Sequence, residues 1–220
     1  MTKLKEVKET KEEKDSMELS ILNVAEELFI ERGFTGVSTT EIAAKVGCNQ
    51  ALIHYYYRTK ANLFQKVFEN KLRFLISLFE VDDYEGLCFE DKLRLRIESH
   101  FDALAQNPKL PIFVLNEVKN NPITIDLIRE AFKNNVPYVL GNLEKELQEE
   151  YKAGRVREIS AFDLMINITS LNIFTFLILP ITEHLLGLDE QTTKEMFEGR
   201  KQEIVITILN SIRPIKDSNK

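Results

Sequence analysis

The chain has 220 residues, of which 44% are hydrophobic and 29% charged, and its net charge is −6. That balance excludes a disordered chain, and it excludes a protein that coats DNA through bulk positive charge. Two cysteines, Cys48 and Cys88, make no CxxC pair and no disulfide framework, which fits a reducing cytoplasm.

The opening MTKLKEVKETKEEKDS mixes acids and bases without an apolar run, so residues 1–16 are expected to form a flexible charged tail and not a signal peptide. Glycine and proline then recur at spacings suited to helix ends. No stretch alternates apolar and polar residues long enough for a sheet, so the expected class is all-α. A first helix is predicted over Met17–Arg32, with Ile21, Val24, Ala25, Leu28 and Phe29 on one face and Gly33 as its stop. Ser38-Thr39-Thr40-Glu41 reads as a capping box opening a short second helix that Gly47 ends. Asn49 is a good N-cap for a third helix through Tyr56, and Thr59 caps a fourth from Lys60. After a break at Val81–Cys88, helices are predicted at Phe89–Gln106, Pro111–Lys119, Thr124–Lys152 (bent at Pro137), Ser160–Leu186 and Gln191–Ile212. The apolar run Ile166–Ile181 is short for a membrane span and carries Asn167, Thr169, Asn172 and Thr175, so it is read as a buried interface helix. Met165, Ile168, Leu171 and Phe176 are expected to be its uncovered face, closing a homodimer together with the last helix.

The segment Thr39–Tyr57 has what a helix-turn-helix requires. Two short helices meet through a tight turn, Ala43 is small where they approach, and Gly47 is free to adopt positive φ. Between Gly33 and Lys60 the bases Lys45, Arg58 and Lys60 face a single acid, Glu41, so the surface is locally basic. Tyr55 and Tyr56 supply hydroxyl donors suited to phosphate, whereas Tyr57 is assigned to the core and His54 is read as a packed or helix-surface histidine and not a ligand. Gln50 carries the carboxamide that bonds bidentately to adenine. Cys48 is read as a small apolar filler, with an oxidation-sensitive thiol as the sharper alternative.

Ala25, Leu28-Phe29 and Gly33-Phe34, then Thr39-Thr40, Ile42-Ala43 and Gly47, then Gln50–Tyr57, Thr59-Lys60 and Leu63 fall in one register. In that register the chain resembles the DNA-binding region of the TetR family of transcriptional regulators. The resemblance implies phosphate contacts from Thr39, Thr40 and Lys60, and base-edge contacts from Asn49, Gln50 and Ala51. It also implies a DNA-binding domain over residues 17–62, followed by a ligand-binding and dimerisation domain over 63–213. The expected function is that of a sequence-specific repressor, released from double-stranded operator DNA by a largely apolar small-molecule effector.

Pocket candidates are the polar or aromatic residues on otherwise apolar helices: His100, Phe101, Phe113, Asn116, Phe132, Tyr138, Asn167, Ser170 and Phe174. No cofactor or metal is called for. An enzyme is not expected, because GxSxG, HExxH and a phosphate-binding glycine loop are missing. A di-iron bundle would need Glu three residues before His, but Ala51, Ile97 and Ile181 precede His54, His100 and His184.

Overall fold

The computed structural model describes residues 2–79 and 86–214. Among them are nine α-helices and no strand: α1 (Thr2–Arg32), α2 (Thr39–Val46), α3 (Gln50–Tyr57), α4 (Lys60–Ser77), α5 (Phe89–Gln106), α6 (Leu110–Asn120), α7 (Pro122–Lys152), α8 (Ala161–Leu186) and α9 (Glu190–Ser211). Helix α1 begins at Thr2 and not at Met17. Its first half is rich in Lys and Glu, which lose little rotamer freedom in a helix, and no Gly or Pro interrupts it. Most of the expected break at Val81–Cys88 lies outside the described residues. Helix α7 opens on Pro122, where the missing N–H costs nothing, and runs as one element through Pro137.

The chain divides into two compact units, Met1–Leu72 with Phe113–Arg129, and Arg73–Ile112 with Glu130–Lys220. In the first unit, Ile21, Ala25, Leu28 and Phe29 of α1 are buried with Ile42 and Ala43 of α2, Ile53 and Tyr57 of α3, and Leu63, Phe64, Val67 and Phe68 of α4. Phe29 meets the edge of Phe64 at 5.3 Å, Phe64 stacks on Phe68 at 5.7 Å, and Phe113 of α6 closes on Phe68 at 5.9 Å. Such edge-on and offset contacts suit the ring quadrupoles and give short helices a rigid floor.

In the second unit the core comes from α5 (Leu93, Ile97, Phe101, Leu104), α7 (Leu143, Leu147), α8 (Leu164, Ile168, Phe176) and α9 (Ile204, Val205, Ile208, Leu209). Phe101 packs on Phe176 at 5.1 Å, and Phe176 stacks on Phe197 at 5.3 Å. This corrects the expected dimer face. Ile168 and Phe176 are buried within the unit by α5 and α9, and Leu171 packs against the same core. The uncovered side of α8 carries Phe162, Ile166, Phe174, Ile178, Ile181 and Leu185 instead, all exposed. By length and composition Ala161–Ile178 would suffice to cross a membrane, with 39% of it buried. Its inner face packs into the α5–α9 core, as a soluble bundle helix does.

Candidate nucleic-acid interface

Helix α2 starts where Ser38 holds an extended backbone (φ −109°, ψ 154°) and its hydroxyl accepts from the Glu41 N–H at 3.2 Å. Glu41 returns the bond by accepting from the Ser38 N–H at 2.8 Å, which completes the capping box. The Ser38 backbone N–H, and then Arg32 at 2.9 Å, hold the Glu41 carboxyl below the usual carboxylate range. At the other end Gly47 is left-handed (φ 78°, ψ 28°), and the N–H groups of Gly47 and Cys48 donate to the carbonyls of Ala44 and Ala43. This is a Schellman stop, and it turns the chain directly into the N-cap of α3.

Helix α3 is capped by Asn49, whose Oδ1 accepts from the Ala51 N–H at 2.9 Å. Its first residue, Gln50, reaches back across the turn. Gln50 Nε2 donates to Thr39 Oγ1 at 2.8 Å, and Thr40 Oγ1 donates to Gln50 Oε1 at 3.4 Å. The structure therefore joins three of the residues assigned to DNA into one network, with Asn49 at the adjacent cap. Ala51 and Tyr55 are exposed, and the Tyr55 ring meets the half-buried Tyr56 ring edge-on at 5.1 Å. Tyr57 turns inward, as expected, and its hydroxyl donates to the Glu18 carbonyl at 3.1 Å. Burial first, then the Glu18 charge and Tyr56, push the Tyr57 phenol up to about 12.

Arg58 ends α3 at φ 65°, ψ −51°, and it is the only non-glycine among the described residues with positive φ. The Thr59 N–H donates to the Tyr57 carbonyl at 2.7 Å, which makes a γ-turn of the strained hand. Thr59 Oγ1 then accepts from the Asn62 N–H at 3.1 Å and opens α4. Lys60 was expected at phosphate, but its ammonium points into the protein. It donates to the carbonyls of Phe34 and Val37, each at 2.9 Å, and sits 4.2 Å above the Phe34 ring.

Sequence reasoning missed Glu117. This α6 residue is 6% exposed, and its Oε1 accepts from the Phe34 N–H at 2.8 Å. The signal was its helical register, four residues after Phe113 on the buried side of α6. Phe34 is thus gripped at its N–H by Glu117 and at its carbonyl by Lys60.

The ligand-pocket candidates are divided between the two units. His100 and Phe101 are buried in the second unit's core, whereas Phe113 belongs to the core of the first unit. Asn116, Tyr138, Asn167, Ser170 and Phe174 are exposed, and the side chain of Phe132 lies outside the described residues. His100 Nδ1 lies 2.9 Å from Asn172 Nδ2, which also donates to the Ile97 carbonyl at 3.1 Å. Burial pushes His100 down to about 4. Asn172 was another missed residue, although Ile168, Asn172 and Phe176 follow the four-residue register of the core face. Cavities lined by described residues indent the second unit. One of about 440 Å³ is lined by Phe89, Lys92, Glu146, Arg155 and Leu209 among others, and one of about 280 Å³ by Phe174, Ile178, Met196, Phe197 and Arg200 among others.

Residues 21–67 match the family model described as bacterial regulatory proteins, tetR family. The chain is 25% identical over 140 residues to the fatty acid metabolism regulator protein of Bacillus subtilis (strain 168), covering 64% of this chain and 71% of that protein. Solved structures share the fold. FadR of Bacillus subtilis, in complex with stearoyl-CoA, aligns with a TM-score of 0.65 at 21% identity over 89% of this chain and 99% of that one. A tetR-family regulatory protein from Rhodococcus RHA1 aligns with a TM-score of 0.66 at 16% identity, over 91% and 98%. The hemolysin II transcriptional regulator HlyIIR aligns with a TM-score of 0.59 at 22% identity, over 92% and 99%. The matched segment contains the α2 cap, the Gly47 turn, the whole of α3 and the start of α4, so the helix-turn-helix region of this chain is of the tetR-family kind.

Proposed function

We propose that this chain is a cytoplasmic repressor that binds operator DNA as a homodimer and lets go when a small molecule bearing a long acyl chain binds its second unit. The observation that carries the DNA-binding part is the α2–Gly47–α3 geometry, which exposes Ala51 and Tyr55 and sets Gln50 at the N-terminus of a helix sized for the major groove. On this reading Gln50, Asn49 and Ala51 face base edges, while Thr39, Tyr55, Tyr56 and the backbone N–H of Thr40 in the first turn of α2 face the phosphates. Lys60 serves by holding the turn before α2.

Dimerisation is supported by the uncovered face of α8. Phe162, Ile166, Phe174, Ile178, Ile181 and Leu185 recur at near-helical spacing. They extend over roughly 35 Å at 1.5 Å per residue. Exposed apolar residues along one side of a helix over this length, interrupted by Asp163, Asn167 and Ser170, mark an interaction surface, and isologous pairing is the commonest way to cover one. A dimer also presents two α3 helices to half-sites about 34–36 Å apart, so a small change in their separation spoils simultaneous docking.

The effector class is supported by the likeness to the Bacillus subtilis fatty acid metabolism regulator and to the fold that holds stearoyl-CoA. The test selects bound fragments from sheared bacterial DNA, then follows fluorescence anisotropy of the recovered site with and without stearoyl-CoA. Sequence-specific binding that the acyl-CoA reverses supports the reading. Recovery of no preferred sequence overturns the repressor assignment, and binding indifferent to acyl-CoA of any chain length overturns the effector class.

A further inference from the structure

We propose that Thr39 and Thr40 are positioning residues for base recognition, fixing the carboxamide of Gln50 before DNA arrives, with Thr39 the stronger of the two. The inference rests on Gln50 reading a base. A glutamine at the start of a helix is a flexible reader, and ordering it on the DNA costs rotamer entropy. Here that order exists already. Gln50 Nε2 donates to Thr39 Oγ1 at 2.8 Å, and Thr40 Oγ1 donates to Gln50 Oε1 at 3.4 Å.

A primary carboxamide has two N–H donors and two acceptor lone pairs. The threonines use one of each. What remains is one donor and one acceptor, the pair that adenine N7 and N6–H require. Guanine offers two acceptors on the same edge, so a carboxamide held this way discriminates against it. The arrangement leaves Thr39 a role at the backbone too, because its hydroxyl accepts from Gln50 and still has its own hydrogen to donate to a phosphate. The supports are themselves anchored, since both threonines sit in the first turn of α2, whose start is locked by the Ser38–Glu41 capping box.

The experiment uses the full-length protein and its selected operator, with each base pair of one half-site substituted in turn. Gln50→Ala identifies the base pair that Gln50 reads, as the position where discrimination falls. Thr39→Val keeps the shape and removes the hydroxyl. It is expected to lower discrimination at that same base pair by about fivefold, the low end of a bidentate contact's worth. Thr39→Ser should restore it, and Thr40→Val should act there more weakly. In a Gln50→Ala background Thr39→Val should have no further effect on discrimination. Thr39→Ala gives the same comparison should the valine disturb the helix start.

A Thr39→Val protein that binds every sequence more weakly by one factor, with base discrimination intact, overturns the proposal and leaves Thr39 as a phosphate contact. A Gln50→Ala protein that keeps full discrimination overturns it as well. A wild-type protein with no sequence preference overturns the repressor reading and this proposal together, so the two failures are told apart.

Discussion

Replacing Glu117 with alanine removes an acceptor from the turn that precedes α2, and the structure allows the cost to be worked out. Glu117 Oε1 accepts from the Phe34 N–H at 2.8 Å inside the first unit. A hydrogen bond to a charged group is worth about 1.5–3 kcal/mol, and truncation strands a partly buried donor, so Glu117→Ala should cost about 2–3 kcal/mol. The neighbouring residue gives an internal control. Gly33 has φ +71°, and a Cβ added there would lie 2.9 Å from the same Glu117 oxygen. Gly33→Ala therefore pays twice, about 1 kcal/mol for the left-handed backbone and a similar amount to displace the carboxylate. With Glu117 already truncated, only the backbone cost remains. The double variant should be less destabilised than the sum of the singles by about 1 kcal/mol. Urea unfolding followed by circular dichroism, at one fixed protomer concentration, measures all three. Strict additivity would refute the close approach of Gly33 and Glu117.

Lys60→Met keeps the side-chain stem but deletes the ammonium held by two carbonyls and the Phe34 ring. Thermal unfolding should show a loss of about 2 kcal/mol. The salt slope of operator binding should stay where it was, against a drop of about 0.9 for each lost phosphate contact. An aspartate at exposed Phe174 or Ile181 on α8 should convert the dimer to monomer at micromolar concentration in sedimentation velocity, while Phe162→Leu leaves it dimeric. His100 is lowered to about 4 by burial, against 6.5 unfolded, so its neutral form contributes stability that is complete above about pH 6.5. As pH falls towards 4 the unfolded chain takes up the proton first, and up to about 3 kcal/mol is lost. His100→Leu should flatten that slope in urea midpoints measured from pH 7 to 4, and identical slopes in the two proteins would contradict the assignment.

What was legible in the sequence was local. The Ser38–Glu41 capping box, the Gly47 stop, the Asn49 cap and the Ser160 start of α8 each involve residues within a few positions of one another, and each is found as read. Helix α1 was misread at its start because the opening residues lack an apolar face. A helix of Lys and Glu needs none, since its propensity and its backbone bonds extend it from a packed segment. The face of α8 was misassigned for a different reason. Apolar residues lie on both sides of this helix, so periodicity cannot say which side meets the core. Only the positions of α5 and α9 decide it, and they arrive from far along the chain.

The same distinction governs the site. Thr39, Thr40, Gln50 and Tyr55 are singled out by one short segment of sequence, and the structure brings the first three into one network. The bonds that orient them are not legible there, because Glu117 is 83 positions from Phe34, and Lys60 is 26 from Phe34 and 23 from Val37. Residue type did not foretell the local role of Lys60, whose ammonium donates to two carbonyls at the end of the α1–α2 connection. Taken together these contacts form a sequence of supports within the first unit. Glu117 and Lys60 hold the two polar groups of Phe34, Lys60 also holds Val37, and Val37 leads into the Ser38 cap. The cap fixes the first turn of α2, and Thr39 and Thr40 in that turn fix Gln50. On the proposed reading, the presentation of the Gln50 carboxamide to a base depends on Glu117 and Lys60, so truncating Glu117 should lower operator discrimination as well as stability.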